Sequence, residues 1–408
     1  MFSEKTFRDP ALARGLIASI ATLAARLQTG AGAGAGACAR ADAEPGGDSC
    51  ADETRGECVP ARGGAGAPIR LMEVCGTHTM AIAKAGIRDV MPDNVQLISG
   101  PGCPVCVTAN HDIDTAIAFA GMPGVCVCTF GDMLKVPGSY ETLAARKADG
   151  ADVRVVYSPL DALELARREP ERQVVFIGVG FETTAPLIAA TIKRAAAEDV
   201  LNFSVFCAHK TVPAALRALA DDSEIQVSGF LLPGHVSTII GSEPYRFLAD
   251  EFGIPGVIAG FEPLDVLLGI EKLLAQLVAR AVDATPAQIE IAYGRAVAAG
   301  GNPVAVAAID EVFQAVDAEW RGLGVIPGSG LAIREQYGAF DALRRLAPVV
   351  CPVRETRGCE CGAVLRGLKR PNECRLFAAT CRPERPIGPC MVSSEGSCAA
   401  YYRYYRKD

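Results

Sequence analysis

Between residues 69 and 262, short apolar runs alternate with stretches of helical character, and this alternation constrains the fold most. Eight runs are candidate strands: IRLMEV, VQLIS, VCVCTF, VRVVY, VVFIGVG, FSVFCA, GFLLP and GVIAG. Strands that are apolar throughout and separated by helices are typical of parallel sheets covered on both faces. The sequence therefore predicts an α/β fold with two similar parallel-sheet lobes, at residues 69–160 and 161–264.

The N-terminal part of the chain differs in composition from these lobes. Asp9 and Pro10 are suited to begin a helix within residues 1–28. Residues 29–68 are rich in Gly and Ala and lack periodicity, which predicts a flexible insertion. Three cysteines fall in this insertion and could bind metal: Cys38, Cys50 and Cys58. An unstructured loop rarely preorganises metal ligands, which disfavours a site there.

The segments after the second lobe also differ from it. Residues 265–350 have a helical pattern, with a capping box at 285–288 and a further helix start at Asn302 and Pro303. Residues 351–408 are dense in Cys, Pro, Gly and Arg. Such a composition predicts a small, loop-rich unit that a metal centre stabilises.

Composition and charge exclude some classes of function. The chain has 408 residues and a formal net charge of −7, which argues against nucleic acid as the main partner. The first ten residues lack the basic and apolar regions of a signal peptide, and we find no uninterrupted apolar stretch of membrane-spanning length. We therefore expect a cytoplasmic protein without a membrane segment. In that compartment, sixteen cysteines indicate metal or redox chemistry more than a disulfide framework.

The stretch LMEVCGTHTM places Cys75 at the end of a predicted strand, where a helix follows. Thr77 is the expected N-cap, and the unpaired amides of a helix N-terminus favour a thiolate. His78 would lie in the first helical turn, within reach of the sulfur or its ligand. The alternative is a buried structural cysteine beside a helix cap.

Two further motifs follow predicted strands. Cys103 and Cys106 form a C-x-x-C motif after a Gly-Pro-Gly turn, a pair that binds metal or cycles between dithiol and disulfide. A tight turn with incidental thiols is the alternative. Asp132 comes directly after a strand and Gly131, so it could orient a ligand, act as an acid or base, or cap a turn. His209 and His235 also follow strands.

The C-terminal segment contains the densest group of thiols in the sequence. It has no histidine and seven cysteines: Cys351, Cys359, Cys361, Cys374, Cys381, Cys390 and Cys398. An all-thiolate site suits either zinc or an iron–sulfur cluster. The wide spacing favours a [4Fe–4S] cluster, but spacing alone does not select four ligands from the seven.

Several long motifs, in this order along the chain, resemble the HypD family of [NiFe]-hydrogenase maturation factors: MEVCGTHT, GPGCPVC, TFGDMLKVPGS, GFETTAP, PGHVS and GPCMVSSEGSCAAYYRY. The resemblance implies two related α/β domains and a cluster-bearing domain. It also implies a scaffold that holds one iron, together with the partner HypC, while cyanide and carbon monoxide are added. In this family HypE, charged by HypF, delivers the cyanide, and the Fe(CN)₂CO group passes to the hydrogenase large subunit.

The resemblance also implies roles for individual residues. Cys75 would bind the iron, and His78 would support it or donate a proton. Cys103 and Cys106 would be a redox-active pair, and Asp132 and Glu395 match functional positions of the family. The family's cluster spacing, C-x14-C-x6-C-x16-C, is matched by Cys359, Cys374, Cys381 and Cys398. The non-ligands would then be Cys351, Cys361 and Cys390, with Cys361 the nearest rival to Cys359.

Two other functions fit parts of the sequence. A thiol–disulfide oxidoreductase with an iron–sulfur electron source explains the CPVC motif and the C-terminal cysteines, but it leaves CGTHT without a role. A zinc-stabilised scaffold that binds proteins is the second alternative. The insertion at 29–68 departs from the shorter link expected in the family, and the sequence assigns it no function.

Overall fold

The computed structural model describes residues 9–29, 67–354 and 356–405. The predicted flexible insertion and its cysteines Cys38, Cys50 and Cys58 lie outside the described residues, apart from positions 29, 67 and 68. The strands are β1 (Ile69–Glu73), β2 (Val95–Ser99), β3 (Val125–Thr129), β4 (Val153–Val155), β5 (Gln173–Gly178), β6 (Phe203–Cys207), β7 (Gly229–Pro233), β8 (Gly256–Ala259), β9 (Ile289–Ile291), β10 (Phe313–Trp320) and β11 (Gly324–Ile333).

The α-helices connect and cover these strands. They are α1 (Pro10–Gln28), α2 (Gly76–Lys84), α3 (Pro104–Val107), α4 (Asn110–Ala120), α5 (Leu143–Ala148), α6 (Pro159–Arg168), α7 (Ala185–Ala197), α8 (Val212–Asp221), α9 (Gly234–Ile240), α10 (Arg246–Asp250), α11 (Pro263–Asp283), α12 (Pro303–Val312), α13 (Ala342–Leu346), α14 (Cys361–Leu365), α15 (Pro389–Val392) and α16 (Ser397–Tyr404). Short 3₁₀ turns occupy Ile87–Val90, Gly131–Lys135, Glu243–Tyr245, Glu335–Phe340 and Pro371–Glu373.

The predicted α/β class is confirmed, because helices alternate with the strands of two parallel sheets. The first sheet has the order β2-β1-β7-β8-β9, and β1 pairs in parallel with both β2 and β7. The second sheet has the order β4-β3-β5-β6 and is also parallel throughout. All eight apolar runs predicted as strands occur as β1 to β8.

The strands divide between the sheets differently from the predicted lobes. A boundary at residue 160 assigned β3 and β4 to the first lobe, but both strands pair within the second sheet. The chain leaves the first sheet after β2, builds the second sheet from β3 to β6, and returns with β7. Where β1 meets β7, the Arg70 amide donates to the Ser228 hydroxyl, and these two residues are 158 positions apart in the sequence. Local sequence patterns do not predict a pairing between strands that are so far apart.

The prediction of a helical region at 265–350 is wrong for two segments. β9 adds to the edge of the first sheet beside β8, and β10 and β11 form an antiparallel hairpin. The expected helix after Thr285 does not form because the chain leaves α11 at Ala284, in the left-handed region, and extends to pair with β8. Here sheet pairing outweighs a local capping pattern. α12 does begin after Asn302, whose side chain caps the helix as expected.

Each parallel sheet is buried on both faces by its helices. One face of the first sheet packs against α1, α2 and α11, in a core that contains Ile20, Ile82 and Ile270. The other face shares a core with the β10–β11 hairpin and with cysteines of α3 and α15. This shared core brings the C-terminal unit and the CPVC segment against the same sheet.

Helix α1 is, by length and composition, the one helix among the described residues that could cross a membrane. In the fold it packs along α11, with Ile20 and Ala24 fully buried. The Ser19 hydroxyl donates to Glu271 Oε1 at 3.0 Å, and Asn94 Nδ2 donates to the Ala24 carbonyl at 2.9 Å. These contacts make α1 a covering helix of the first sheet.

We predict that Ile20→Ala lowers the free energy of unfolding by about 2–4 kcal/mol, because it leaves a cavity between α1 and α11. Leu12→Ala in the same helix is the matched control, since Leu12 is 49% exposed. Its effect should stay within about 0.5 kcal/mol. Anaerobic urea denaturation measures both. Equal effects of the two substitutions would contradict the packing of α1 on α11.

Candidate functional site

Cys75 lies between the carboxyl end of β1 and the start of α2 and is itself the N-cap of that helix. Thr77, the predicted N-cap, is inside the helix instead. The Cys75 side chain makes no capping hydrogen bond, but the nearby backbone amides of His78 and Thr77 act to lower the pKa of its thiol. The carboxyl end of a parallel strand is the usual position of a site in open α/β sheets.

Burial controls the protonation of Cys75. The residue is 7% exposed, and desolvation raises the pKa of its thiol to about 12 despite the two amides. The negative charges of Glu395 and Glu73 raise it further. Burial therefore opposes the thiolate that a helix N-terminus favours. A bound cation would reverse this balance, because metal ligation deprotonates a thiol.

The CPVC segment approaches Cys75 through a glycine. A Cβ at Gly102 would overlap the backbone nitrogen of Cys75, so only glycine permits this approach. The Gly76 amide donates to the Gly102 carbonyl at 2.8 Å and fixes the two segments together. Cys103 follows directly, and its sulfur is bonded to that of Cys106 as a disulfide. The redox-capable pair is thus oxidised and lies beside the Cys75 backbone.

Glu395 reaches the same place from the C-terminal unit. The Thr77 hydroxyl donates to Glu395 Oε1 at 2.6 Å, and a Cβ on Gly76 would lie 2.8 Å from the Glu395 carbonyl oxygen. The negative charge of Glu395 also raises the pKa of His235, which burial lowers overall. Glu395 is therefore a carboxylate at the Cys75 site, held by a threonine of the CGTHT motif.

His78 is fully buried and points away from solvent. Its Nε2 lies 3.2 Å from the Ala259 carbonyl and 3.0 Å from the Gly260 carbonyl, so the ring donates there. Burial lowers the pKa of His78 to about 4, which keeps the imidazole neutral. Its Nδ1 is buried without a partner among the described residues. His78 thus joins the ends of β1 and β8.

His235, which the sequence placed after a strand without a role at this site, also lies at this edge. It follows β7 and stacks on Phe261, with ring centroids 3.9 Å apart. Phe261 also contacts His78, at 4.8 Å. Gly234 and His235 follow β7, much as Gly76 and His78 follow β1 in CGTHT. This similarity between the two strand ends is the sequence signal that could have placed His235 at the site.

Asp132 lies at the end of β3, in the second sheet, and is partly exposed. Within the described part of the chain, none of the contacts that position Cys75 involves Asp132. The structure therefore brings together Cys75, His78, Cys103, Cys106 and Glu395, and leaves Asp132 on the neighbouring sheet.

The C-terminal cysteines surround a cavity. Six of them line it: Cys359, Cys361, Cys374, Cys381, Cys390 and Cys398. Cys351 is exposed and lies outside. All four cysteines of the family spacing are thus at the cavity, together with two of the three predicted non-ligands.

The lining of the cysteine cavity has the all-thiol chemistry of an iron–sulfur site. Among the described residues, no group of three or more potential ligands converges closely enough to hold one metal ion. A [4Fe–4S] cluster binds one thiolate at each of four separate irons, so its ligands surround it instead. The Ile387 amide donates to Cys381 Sγ at 3.3 Å, and a Cβ on Gly388 would lie 2.6 Å from Cys359 Sγ. The thiols of the lining fit a cluster by their chemistry.

The thiols of the cavity also contact one another. Cys361 and Cys390 are close enough to shift the pKa of each other's thiol, and Cys359 and Cys398 act on them in the same way. Cys361 therefore remains next to Cys359, and proximity does not separate the two as ligands. Cys106 Sγ lies 3.9 Å from the carbonyl of Pro389, the residue before Cys390. The disulfide and the cysteine cavity are neighbours.

Aromatic residues of α16 hold the C-terminal unit onto the first sheet. The Arg88 guanidinium lies 5.2 Å from the ring centre of Tyr401 and 5.7 Å from that of Tyr405. The same guanidinium donates to Ser99 Oγ at 3.1 Å and is 4.0 Å from the buried carboxylate of Glu73. Burial raises the pKa of Glu73 to about 7. Tyr401 and Tyr405 are therefore packing residues at this contact.

The fold and the site define an α/β protein in which one buried thiol, one disulfide and a cysteine-lined cavity lie at the same sheet edge. The sequence profile of HypD, described as the hydrogenase formation hypA family, matches residues 57–405. The chain belongs to the HypD family.

Individual relatives agree with this assignment. The chain is 46% identical to hydrogenase maturation factor HypD of Rhodobacter capsulatus, over 98% of this chain and 97% of the relative. It is 49% identical to HypD of Azotobacter vinelandii, over 83% of this chain and 90% of the relative. It is 47% identical to HypD of Escherichia coli K12, over 84% of this chain and 90% of the relative.

We predict that Gly102→Ala destabilises the protein by about 2 kcal/mol or more, because its Cβ meets backbone atoms of Val74 and Cys75 that cannot rotate away. Gly131→Ala is the matched control after a strand of the other sheet, where the nearest atom is 3.8 Å away. Anaerobic urea denaturation gives both values. A tolerated alanine at position 102 would contradict the close approach at Cys75.

Proposed function

We propose that this chain is a hydrogenase maturation scaffold, which holds one iron at Cys75 while its cyanide and carbon monoxide ligands are added. Membership of the HypD family supports the general role. The observation that carries the specific role is the convergence of a buried thiol, a disulfide and a carboxylate at one sheet edge. A soft thiolate suits low-spin ferrous iron, and a buried setting protects diatomic ligands from exchange with water.

The residues around Cys75 have distinct roles in this proposal. Incoming iron displaces the Cys75 proton, and the amides of Thr77 and His78 then stabilise the thiolate. Glu395 accepts that proton or holds it for a later step, and Thr77 orients its carboxylate. His78 stays neutral and fixes the loop after β8 against α2. Asp132, on the neighbouring sheet, is proposed to act when a partner closes over this edge.

Cys103 and Cys106 supply redox capacity beside the iron. Reduction of their disulfide consumes two electrons and two protons and gives two thiols. Cys359, Cys374, Cys381 and Cys398 would hold the [4Fe–4S] cluster, and a bound cluster supplies electrons one at a time. The Cys106 side of the disulfide faces the cysteine cavity, which supports exchange between them.

The proposal requires partners. HypC would form a stable complex and contribute a second cysteine to the iron, and HypE would deliver cyanide transiently. The completed Fe(CN)₂CO group would pass to the hydrogenase large subunit. This work is assembly with redox input, in contrast to conventional enzymatic turnover.

One alternative has a specific observation in its favour. The bonded Cys103–Cys106 pair beside a cysteine cavity would also serve a thiol–disulfide oxidoreductase. That function needs no iron at Cys75. A spectrum of the iron ligands therefore separates the two functions.

We predict that protein purified anaerobically with HypC shows infrared stretching bands of iron-bound cyanide and carbon monoxide, and that Cys75→Ser abolishes them. The hydroxyl of serine is a poor ligand for a soft ferrous centre. Cys351→Ser is the control, since that cysteine is exposed and is not part of the cavity lining. Bands retained in Cys75→Ser would favour the oxidoreductase.

We predict that Cys381→Ser removes the visible charge-transfer absorbance of an iron–sulfur cluster and most of the bound iron, because Cys381 is a buried wall of the cysteine cavity. Cys351→Ser should leave colour and iron content unchanged. Zinc in place of iron in the anaerobically purified wild type would support the structural zinc alternative instead.

A further inference from the structure

Arg321 is a buried cation that the proposed function does not yet use. It follows β10 in the tight turn to β11, where Gly322 and Gly324 adopt positive φ of 79° and 78°. The residue is only 8% exposed. In the part of the chain that the structure describes, no carboxylate forms an ion pair with it. Burying an unpaired charge is costly, so its position needs an explanation.

One side of Arg321 holds the segment that carries the disulfide. Its backbone amide donates to the Val107 carbonyl at 2.8 Å. Its side-chain Nε donates to the Thr108 carbonyl at 2.9 Å. These carbonyls end the short helix that begins after Cys103, so Arg321 is attached to the CPVC segment by two hydrogen bonds.

The turn that carries Arg321 also packs against α14, whose first residue, Cys361, lines the cysteine cavity. A Cβ on Gly362 would lie 2.9 Å from the Cα of Gly322, so the turn is in backbone contact with α14. Contact with Cys361 and burial raise the pKa of the Cys359 thiol, and the positive charge of Arg321 opposes that rise. The same charge acts on Cys361. The guanidinium Nη2 is buried and has no hydrogen-bond partner among the described residues.

The single hydrogen bond from Nε to the Thr108 carbonyl does not balance a buried positive charge, and neutral thiols do not either. A cluster bound by four thiolates is anionic, and it gains a further negative charge on reduction. A fixed cation at its edge favours the reduced state over the oxidised state. The unpartnered Nη2 is therefore placed where such an anion would complete its environment.

We infer that Arg321 is a positioning residue that stabilises the reduced cluster electrostatically and fixes the CPVC segment against it. This inference rests on the proposed function, because it requires a cluster in the cysteine cavity. One side chain would then both raise the reduction potential of the cluster and hold the disulfide segment beside the cluster.

Redox titration of the cluster in the full-length protein, followed by electron paramagnetic resonance, tests this inference. In R321Q the equilibrium constant for one-electron reduction should fall about tenfold, a shift of about 59 mV to more negative potential. R321K keeps the charge and should titrate close to the wild type. R366Q is the matched control, since Arg366 lies after α14 but is already paired with Asp222 and Glu224, at 2.6 and 2.7 Å. Its potential should not change.

Each outcome of these titrations either supports or overturns the electrostatic role of Arg321. An R321Q potential equal to the wild type would overturn the electrostatic role. If R321Q folds but does not bind the cluster, the iron content of R321K decides the matter. Iron bound by R321K would support the role of the positive charge. Loss of iron from both variants would overturn it and leave Arg321 only a packing role. A wild-type protein without a cluster would refute the proposed function itself, which is a different result from an unshifted R321Q.

Discussion

The structure depends on the close approach of three backbone segments at Cys75. Gly102 packs against the Cys75 nitrogen, and Gly76 packs against Glu395. A side chain at either glycine would force the segments apart, because backbone atoms form most of the opposing surface. The sulfur, the disulfide and the carboxylate can share one small volume only because these two positions have no Cβ.

The topology explains why such distant segments meet. The first sheet is interrupted after β2 by the whole second sheet and is completed by β7, β8 and β9. Its strands are parallel, so the ends of β1, β7 and β8 present Cys75, His235 and the carbonyls that hold His78 at one edge. The C-terminal unit then packs across this edge through α16 and the tyrosines on Arg88.

Sequence patterns predicted the elements better than their arrangement. All eight apolar strands were predictable because burial on both faces leaves a continuous apolar run. The division into lobes was not, since the pairing of β1 with β7 leaves no local trace. The capping pattern at Thr285 failed because an open sheet edge was available for β9. The hairpin of β10 and β11 was missed because its strands are partly exposed and lack a continuous apolar run.

The candidate site was also only partly predictable. Cysteine density alone indicated the C-terminal cavity, and six of the seven cysteines do line it. The resemblance singled out Glu395, but its position beside Thr77 was not predictable, because nothing local relates residues 318 positions apart. The sequence favoured a thiolate at Cys75 because the motif indicates a helix N-terminus. The burial that raises the pKa of this thiol is not visible in the motif.

The most direct test of this account is hydrogenase maturation in cells that lack their own copy of this factor. Cells supplied with the wild-type chain should produce active [NiFe]-hydrogenase, and cells supplied with Cys75→Ser should produce none, although both proteins accumulate and retain their cluster. Full hydrogenase activity with serine at position 75 would contradict the claim that this single buried sulfur holds the iron during assembly.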